Sequence, residues 1–135
     1  MAEALIGIVD DDDAVRAATG MLVASFGWRA RTFGSATAFL DELAPGDAPD
    51  CLLLDLNMPG MNGAELLRVL EARGSTLPVI VITGNSESAL AEIARRAGAR
   101  AVLDKPVCDD ELKLEIERVL RMPPPARPAR AMRFS

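Results

Sequence analysis

Short, largely apolar runs alternate along the chain with stretches in which apolar side chains recur every three or four residues. The runs are Leu5–Val9, Cys51–Leu54, Val79–Ile82 and Ala101–Asp104, with a more polar one from Trp28 to Phe33. Runs of this length and continuity predict buried strands, and the polar one predicts an edge strand. The stretches between them predict helices. Asp12 or Asp13 is placed to cap the first, which carries Val15, Ala18, Leu22 and Phe26 on one face and stops at Gly27. Ser35 opens a second through Phe39, Leu40 and Leu43, ended by Pro45-Gly46. Asn62, with Glu65 three residues on, has the spacing of a capping box for a helix through Leu66, Leu67 and Leu70. Asn85 or Ser86 starts the next, with Leu90, Ile93 and Ala97, closed by Gly98. Asp109 starts the last, with Leu112, Ile116, Val119 and Leu120 inward, and Met122-Pro123-Pro124-Pro125 ends it. Strand–helix alternation with right-handed crossovers predicts an α/β fold: a doubly wound, five-stranded parallel sheet with helices on both faces.

The ends of the runs are chemically unusual. Asp10 and Asp11 close the first and Asp55 closes the third, while Thr83 and Lys105 follow the fourth and fifth. The carboxyl ends of parallel strands form the ligand crevice of such a sheet. One edge would therefore collect three acids, a hydroxyl and an ammonium. Clustered carboxylates repel one another and gain from a cation, and a magnesium-type ion takes one or two of them together with phosphate oxygens. With charge on the equatorial oxygens neutralised, Asp55 becomes a usable nucleophile toward phosphorus. Gly84, directly after Thr83, leaves room for a phosphoryl group against the strand end.

Composition narrows the possibilities. The 135 residues suffice for one domain and a short appendage. The net charge is −5, and the segment from Pro123 on holds three arginines (Arg127, Arg130, Arg133) and no acid, which leaves the body at −8. An acidic body argues against duplex nucleic acid and anionic membranes as partners, and no apolar run approaches the roughly 20 residues of a membrane helix. The Pro/Arg/Ala-rich stretch 123–135 reads as a tail or linker stub without a core of its own, and 1–122 as the folded domain. Histidine is absent, which removes histidine-based bases, zinc sites and triads. Cys51 and Cys108 make no metal spacing; they read as core-filling thiols of a reduced cytoplasmic protein.

The stretches Val9-Asp10-Asp11-Asp12, Leu54-Asp55-Leu56-Asn57-Met58-Pro59-Gly60-Met61-Asn62-Gly63, Ile82-Thr83-Gly84 and Asp104-Lys105-Pro106 together resemble the receiver domain of bacterial two-component response regulators. The resemblance spans about residues 4 to 121 and is nearest in pattern to receivers of nitrogen-fixation-type regulators, judged by Val81-Ile82-Thr83-Gly84 and the Phe39-Leu40 helix. It implies the CheY-like sheet order 2-1-3-4-5. It also implies Asp55 as phosphoacceptor, and magnesium (or manganese) held by Asp10, Asp11, Asp55 and the backbone carbonyl of Asn57. Thr83 and Gly84 take the switch position and Lys105 the phosphoryl-contacting one, with Pro106 after a cis peptide bond. The domain would be a signalling switch whose only catalysis is its own phosphorylation and dephosphorylation. A histidine kinase or histidine phosphotransfer protein would be the donor, and the output domain or effector would meet the face built from the Ser86–Ala97 helix, the Ala101–Asp104 strand and the Asp109–Leu120 helix. Dimerisation on phosphorylation is compatible with that face.

One position departs from the pattern. Three residues before the lysine the family carries Tyr or Phe, and this chain has Val102, too short and stiff for a large inward swing. That substitution lends weight to an alternative, a phosphorylation-independent interaction module of the same fold. A second alternative is a haloacid-dehalogenase-like phosphatase traced through Asp10, Asp12, Thr83, Lys105 and Asp109-Asp110. It leaves Asp55 without a role, has Ala14 where Thr or Val belongs, and places Asp109-Asp110 too near Lys105.

Overall fold

The computed structural model describes residues 3–43 and 48–121. Strands β1 (Leu5–Val9), β2 (Arg29–Phe33), β3 (Cys51–Asp55), β4 (Val79–Thr83) and β5 (Ala101–Asp104) alternate with helices α1 (Asp13–Ser25), α2 (Ala36–Glu42), α3 (Gly63–Ala72), α4 (Ala89–Arg96) and α5 (Asp109–Arg121). The strands pair in parallel in the order β2-β1-β3-β4-β5, the order that the resemblance implied. The helix stop expected at Pro45-Gly46, and the tail expected after residue 122, lie outside the described residues.

Strand alternation sorts the core into two layers. Ile6 and Ile8, Cys51 and Leu53, Ile80, and Leu103 face Val23 of α1 and Leu112, Ile116 and Val119 of α5. Val9, Leu52, Leu54, Val79 and Val81 face Phe39 of α2, Leu66, Leu67 and Leu70 of α3, and Ala91 and Ala94 of α4. β3, buried at all five positions, is the axis on which both layers rest. Burying each of its leucines contributes about 1.5–3 kcal/mol. β2, at the edge, buries only Phe33, consistent with its polar sequence.

The helix ends follow the sequence in most places. Asp12 caps α1 and Ser35 caps α2. Asn62 and Glu65 form the full capping box of α3. Two expectations fail. In α1 the buried residue is Val23, whereas Val15 is 39% exposed and Ala18 is exposed. The first turn is set instead by Arg16, whose guanidinium donates to the Asp10 carbonyl at 2.8 Å and to Asp13 at 2.6 Å. Val15, Thr19 and Leu22 line a cleft whose other walls include Ile8 and Leu53 of the sheet and Leu112 of α5, and Leu22 packs, partly buried, on the core layer between α1, α5 and the sheet. In α4 the cap is Ser88, not Asn85 or Ser86. Asn85 spends its side-chain oxygen on the Glu87 amide, and Ser86 is tied to Asp104, so neither is free to start a helix.

The two thiols also differ. Cys51 is buried, but Cys108 is exposed and not a core residue as expected; both are free. Burial, partly offset by Arg100, pushes the Cys51 thiol up to about 12. Since the thiolate is the nucleophile, a neutral alkylating agent should modify Cys108 in the native protein and Cys51 only after unfolding; mass spectrometry of the native adduct checks this.

Gly63 joins the fold to the sheet edge. Its amide donates to the Leu56 carbonyl at 2.9 Å, and a Cβ there would lie 2.8 Å from the Asp55 carbonyl oxygen and 2.9 Å from the Leu56 Cα. Both obstacles are backbone, so relief requires moving the α3 start away from β3. Gly63→Ala should therefore lower the denaturant midpoint by the equivalent of about 1–3 kcal/mol with little change in slope.

Candidate functional site

Alternation along the strands also places the polar residues. Asp10 continues the parity of Ile6 and Ile8, Asp55 that of Cys51 and Leu53, and Lys105 that of Leu103, so all three lie toward α1 and α5. β1 and β3 pair Val9 with Leu54, which sets Asp10 beside Asp55 one step further on. Carboxylate oxygens of Asp10, Asp11 and Asp55 all lie within 4.8 Å of one another. Asp10 and Asp55 are each 6% exposed, while Asp11 stands out in solvent.

Asp55 is held from one side. Lys105 Nζ reaches its Oδ1 at 3.3 Å, and the Asn57 amide donates to the same oxygen at 3.3 Å. Among the described residues no donor reaches Oδ2. Burial raises the Asp55 carboxyl above its ordinary value of 3.8, against the pull of the Lys105 ammonium and with the push of Asp10. Asp10 is steadied by the Asp12 amide, which donates to its Oδ1 at 2.9 Å. The peptide bond between Lys105 and Pro106 is cis.

Thr83 follows Val79 and Val81 and so points to the other face of the sheet. Its hydroxyl donates to the side-chain oxygen of Asn57 at 3.1 Å and accepts from the Asn85 amide at 3.2 Å. Sequence reasoning assigned only the Asn57 carbonyl a part; its side chain, as the acceptor for Thr83, was missed. No signal in the sequence pairs residues 26 apart through their side chains. A Cβ on Gly84 would meet no atom within 4 Å, so the space beside the Thr83 end of β4 is open. Val102 packs, partly buried, against the α2–α4 layer. A cleft of about 490 Å³ lined by Asp10, Asp55, Lys105, Val15, Val107 and Leu112, among others, opens beside this set.

Paired buried carboxylates, an opposed ammonium and an adjacent cleft at the carboxyl edge of a parallel sheet suit oxygen-ligated metal and phosphoryl chemistry. The domain is of the signalling-switch class rather than the phosphatase class. Asp109 and Asp110 open α5 instead of ending a strand, and Asp55, not Asp10, sits at the centre of the sheet edge. The response regulator receiver domain model matches residues 6–117, and the chain belongs to that family. It is 39% identical over 127 residues to the transcriptional regulatory protein FixJ of Bradyrhizobium diazoefficiens, covering 94% of this chain and 62% of that one. FixJ of Azorhizobium caulinodans is 44% identical over 104 residues, or 77% of this chain and 49% of that one. The crystal structure of the FixJ amino-terminal domain superposes with a TM-score of 0.83 at 35% identity, covering 93% of this chain and all of that one. The expected kinship with nitrogen-fixation-type receivers is thereby borne out. The chain spans between about half and two thirds of the length of these curated relatives. Phosphorylation on aspartate is standard for receiver domains, which bind magnesium through an acidic pocket and work with histidine kinases and output domains. No helix among the described residues is long and apolar enough to cross a membrane.

The raised Asp55 carboxyl has a consequence for stability. Between the unfolded value of 3.8 and the higher folded value, the folded protein holds a proton that the unfolded chain has released. Stability thus falls as pH rises through that interval, and the ionised site is a burden above it. Asp55→Asn should raise the thermal midpoint at pH 7, with the gap to the wild type closing as pH falls toward 3.8. A gap independent of pH in calorimetry would contradict the assignment of the shift to this carboxyl.

Proposed function

We propose that Asp55 accepts a phosphoryl group from a histidine kinase or histidine phosphotransfer protein, and that the domain later hydrolyses it. The observation that carries this reading is the site of Asp55. It is buried at a strand end, has one oxygen held by Lys105 and the Asn57 amide, and has Asp10 and Asp11 within 4.8 Å. Asp10, Asp11, Asp55 and the Asn57 carbonyl are the residues that would hold magnesium or manganese. Once bound, that ion neutralises charge on the transferring group.

The chemistry asks little else of the protein. An Asp55 oxygen forms a bond to phosphorus as the bond from phosphorus to the donor imidazole nitrogen breaks, and the donor ring, protonated on its other nitrogen, leaves as neutral imidazole. Lys105 pairs with the anion that arrives, and Thr83 turns its hydroxyl proton to a phosphoryl oxygen. Water later attacks phosphorus and releases inorganic phosphate, restoring the carboxylate. The domain acts on no substrate beyond its own aspartate. Cytoplasmic residence fits the two free thiols.

The output belongs, in this reading, to the face formed by α4, β5 and α5, which adjoins both Thr83 and Lys105 and offers a surface for an output domain, an effector or a second copy. The relatives named above are transcriptional regulatory proteins, and a receiver of their kind would control such an output without itself touching DNA. Residues 1–122 form the receiver in this proposal, and 123–135 a tail or linker stub.

Incubation with a small acyl phosphate and magnesium should give a stoichiometric aspartyl phosphate, which should not form when a chelator is present from the start. Asp55→Asn should abolish it. Asp10→Asn and Asp11→Asn should each raise the magnesium concentration needed for half-maximal labelling. Labelling that survives in Asp55→Asn would sink the assignment. Its complete absence in the wild type would favour the phosphorylation-independent module that Val102 suggests.

A further inference from the structure

The loop between β4 and α4 is fastened at a point that the phosphoacceptor reading does not use. Asp104, the last residue of β5, shares the parity of Val102 and faces α4. Its two carboxylate oxygens accept, at 2.8 Å each, from the amide and the hydroxyl of Ser86. The Ser86 carbonyl in turn accepts from the Arg95 guanidinium of α4 at 2.7 Å. Ser86 thus joins the end of β5 to the body of α4, and a charged acceptor makes its bonds to Asp104 stronger than neutral ones.

The fastened segment includes the switch hydroxyl. β4 and β5 pair Thr83 with Asp104, and the Lys105 amide donates to the Thr83 carbonyl at 2.8 Å. A hydroxyl has one proton to give, and that of Thr83 goes to Asn57 while the oxygen accepts from Asn85, the neighbour of Ser86. Turning Thr83 toward a group on Asp55 breaks the bond to Asn57 and the bond from Asn85. The displaced Asn85 then pulls on a residue that Asp104 holds.

We propose that Asp104 is a positioning residue. Through Ser86 it latches the β4–α4 loop in the arrangement in which Thr83 serves Asn57, and so sets how readily the hydroxyl is released to a phosphoryl group. The proposal rests on the reading of Asp55 as phosphoacceptor and Thr83 as switch. Because Val102 supplies no aromatic to swing, the latch would also be the element that ties movement of this loop to α4.

The test is a beryllofluoride titration at saturating magnesium, followed by amide shifts of Thr83 and of α4. Ser86→Ala removes one bond and no charge, and should lower the half-saturating concentration by roughly three- to tenfold. Ser86→Thr keeps both donors and should match the wild type. Asp104→Asn should tighten binding too, partly through lost repulsion of the anion; that part fades at high salt, whereas the gain from the broken latch persists. A merely structural role for Ser86 would lower the melting midpoint without moving half-saturation. Unchanged or weaker binding in both Ser86→Ala and Asp104→Asn, with Ser86→Thr behaving as they do, would overturn the latch. Failure of every form, wild type included, to bind beryllofluoride or label Asp55 would overturn the receiver reading itself.

Discussion

The structure turns on keeping a charged carboxylate at the buried end of the central strand. Asp55 lies where β3 leaves the core, with apolar side chains on the strand behind it and a second carboxylate, Asp10, beside it. Burial and like charge both disfavour its ionised form, and among the described residues Lys105 and the Asn57 amide oppose them. A site tuned this way is costly when empty of positive charge and rewarding when a cation arrives. The parallel pairing of Val9 with Leu54 fixes the separation of Asp55, at the end of the central strand, from Asp10, one residue beyond β1. Gly63 belongs to the same arrangement, since only a residue without a side chain lets α3 start against the backbone of Asp55.

Much of this was legible in the amino-acid order because it depends on short-range pattern. Continuous apolar runs marked β1, β3, β4 and β5, and the polar residues ending them marked the edge where chemistry would gather. The Asn62 and Glu65 capping box has a fixed spacing, and it formed as read. Two placements failed where a side chain chose a distant partner. Arg16 took over the first turn of α1 by reaching the Asp10 carbonyl, and Val15 beside it stays largely exposed, lining a cleft instead of the packed core. Ser86 was spent on Asp104, 18 residues away, so Ser88 caps α4 instead. Helical periodicity has no term for either competition. The same holds for the side-chain oxygen of Asn57, which no local motif connects to Thr83.

Val102 changes what a switch in this chain has to be. A two-state element is biased by a ligand only to the extent that the ligand's contacts differ between its states. In a receiver with an aromatic at this position, a large side chain supplies the difference by moving between solvent and interior. Here Val102 is partly buried and packs against the α2–α4 layer, and its rotamers differ little in reach. Under the proposed function the difference in contacts would come from hydrogen bonds at the carboxyl edge, where Thr83, Asn57, Asn85, Ser86 and Asp104 form a connected set. Each such bond is worth about 1 kcal/mol net, and a few of them exchanged together reach the few kcal/mol that separate switch states. The set also links the two strands whose ends carry Thr83 and Lys105, through the pairing of Thr83 with Asp104. In the function proposed above, charge arriving at Asp55 would reach α4 by way of this polar edge, without an aromatic at position 102.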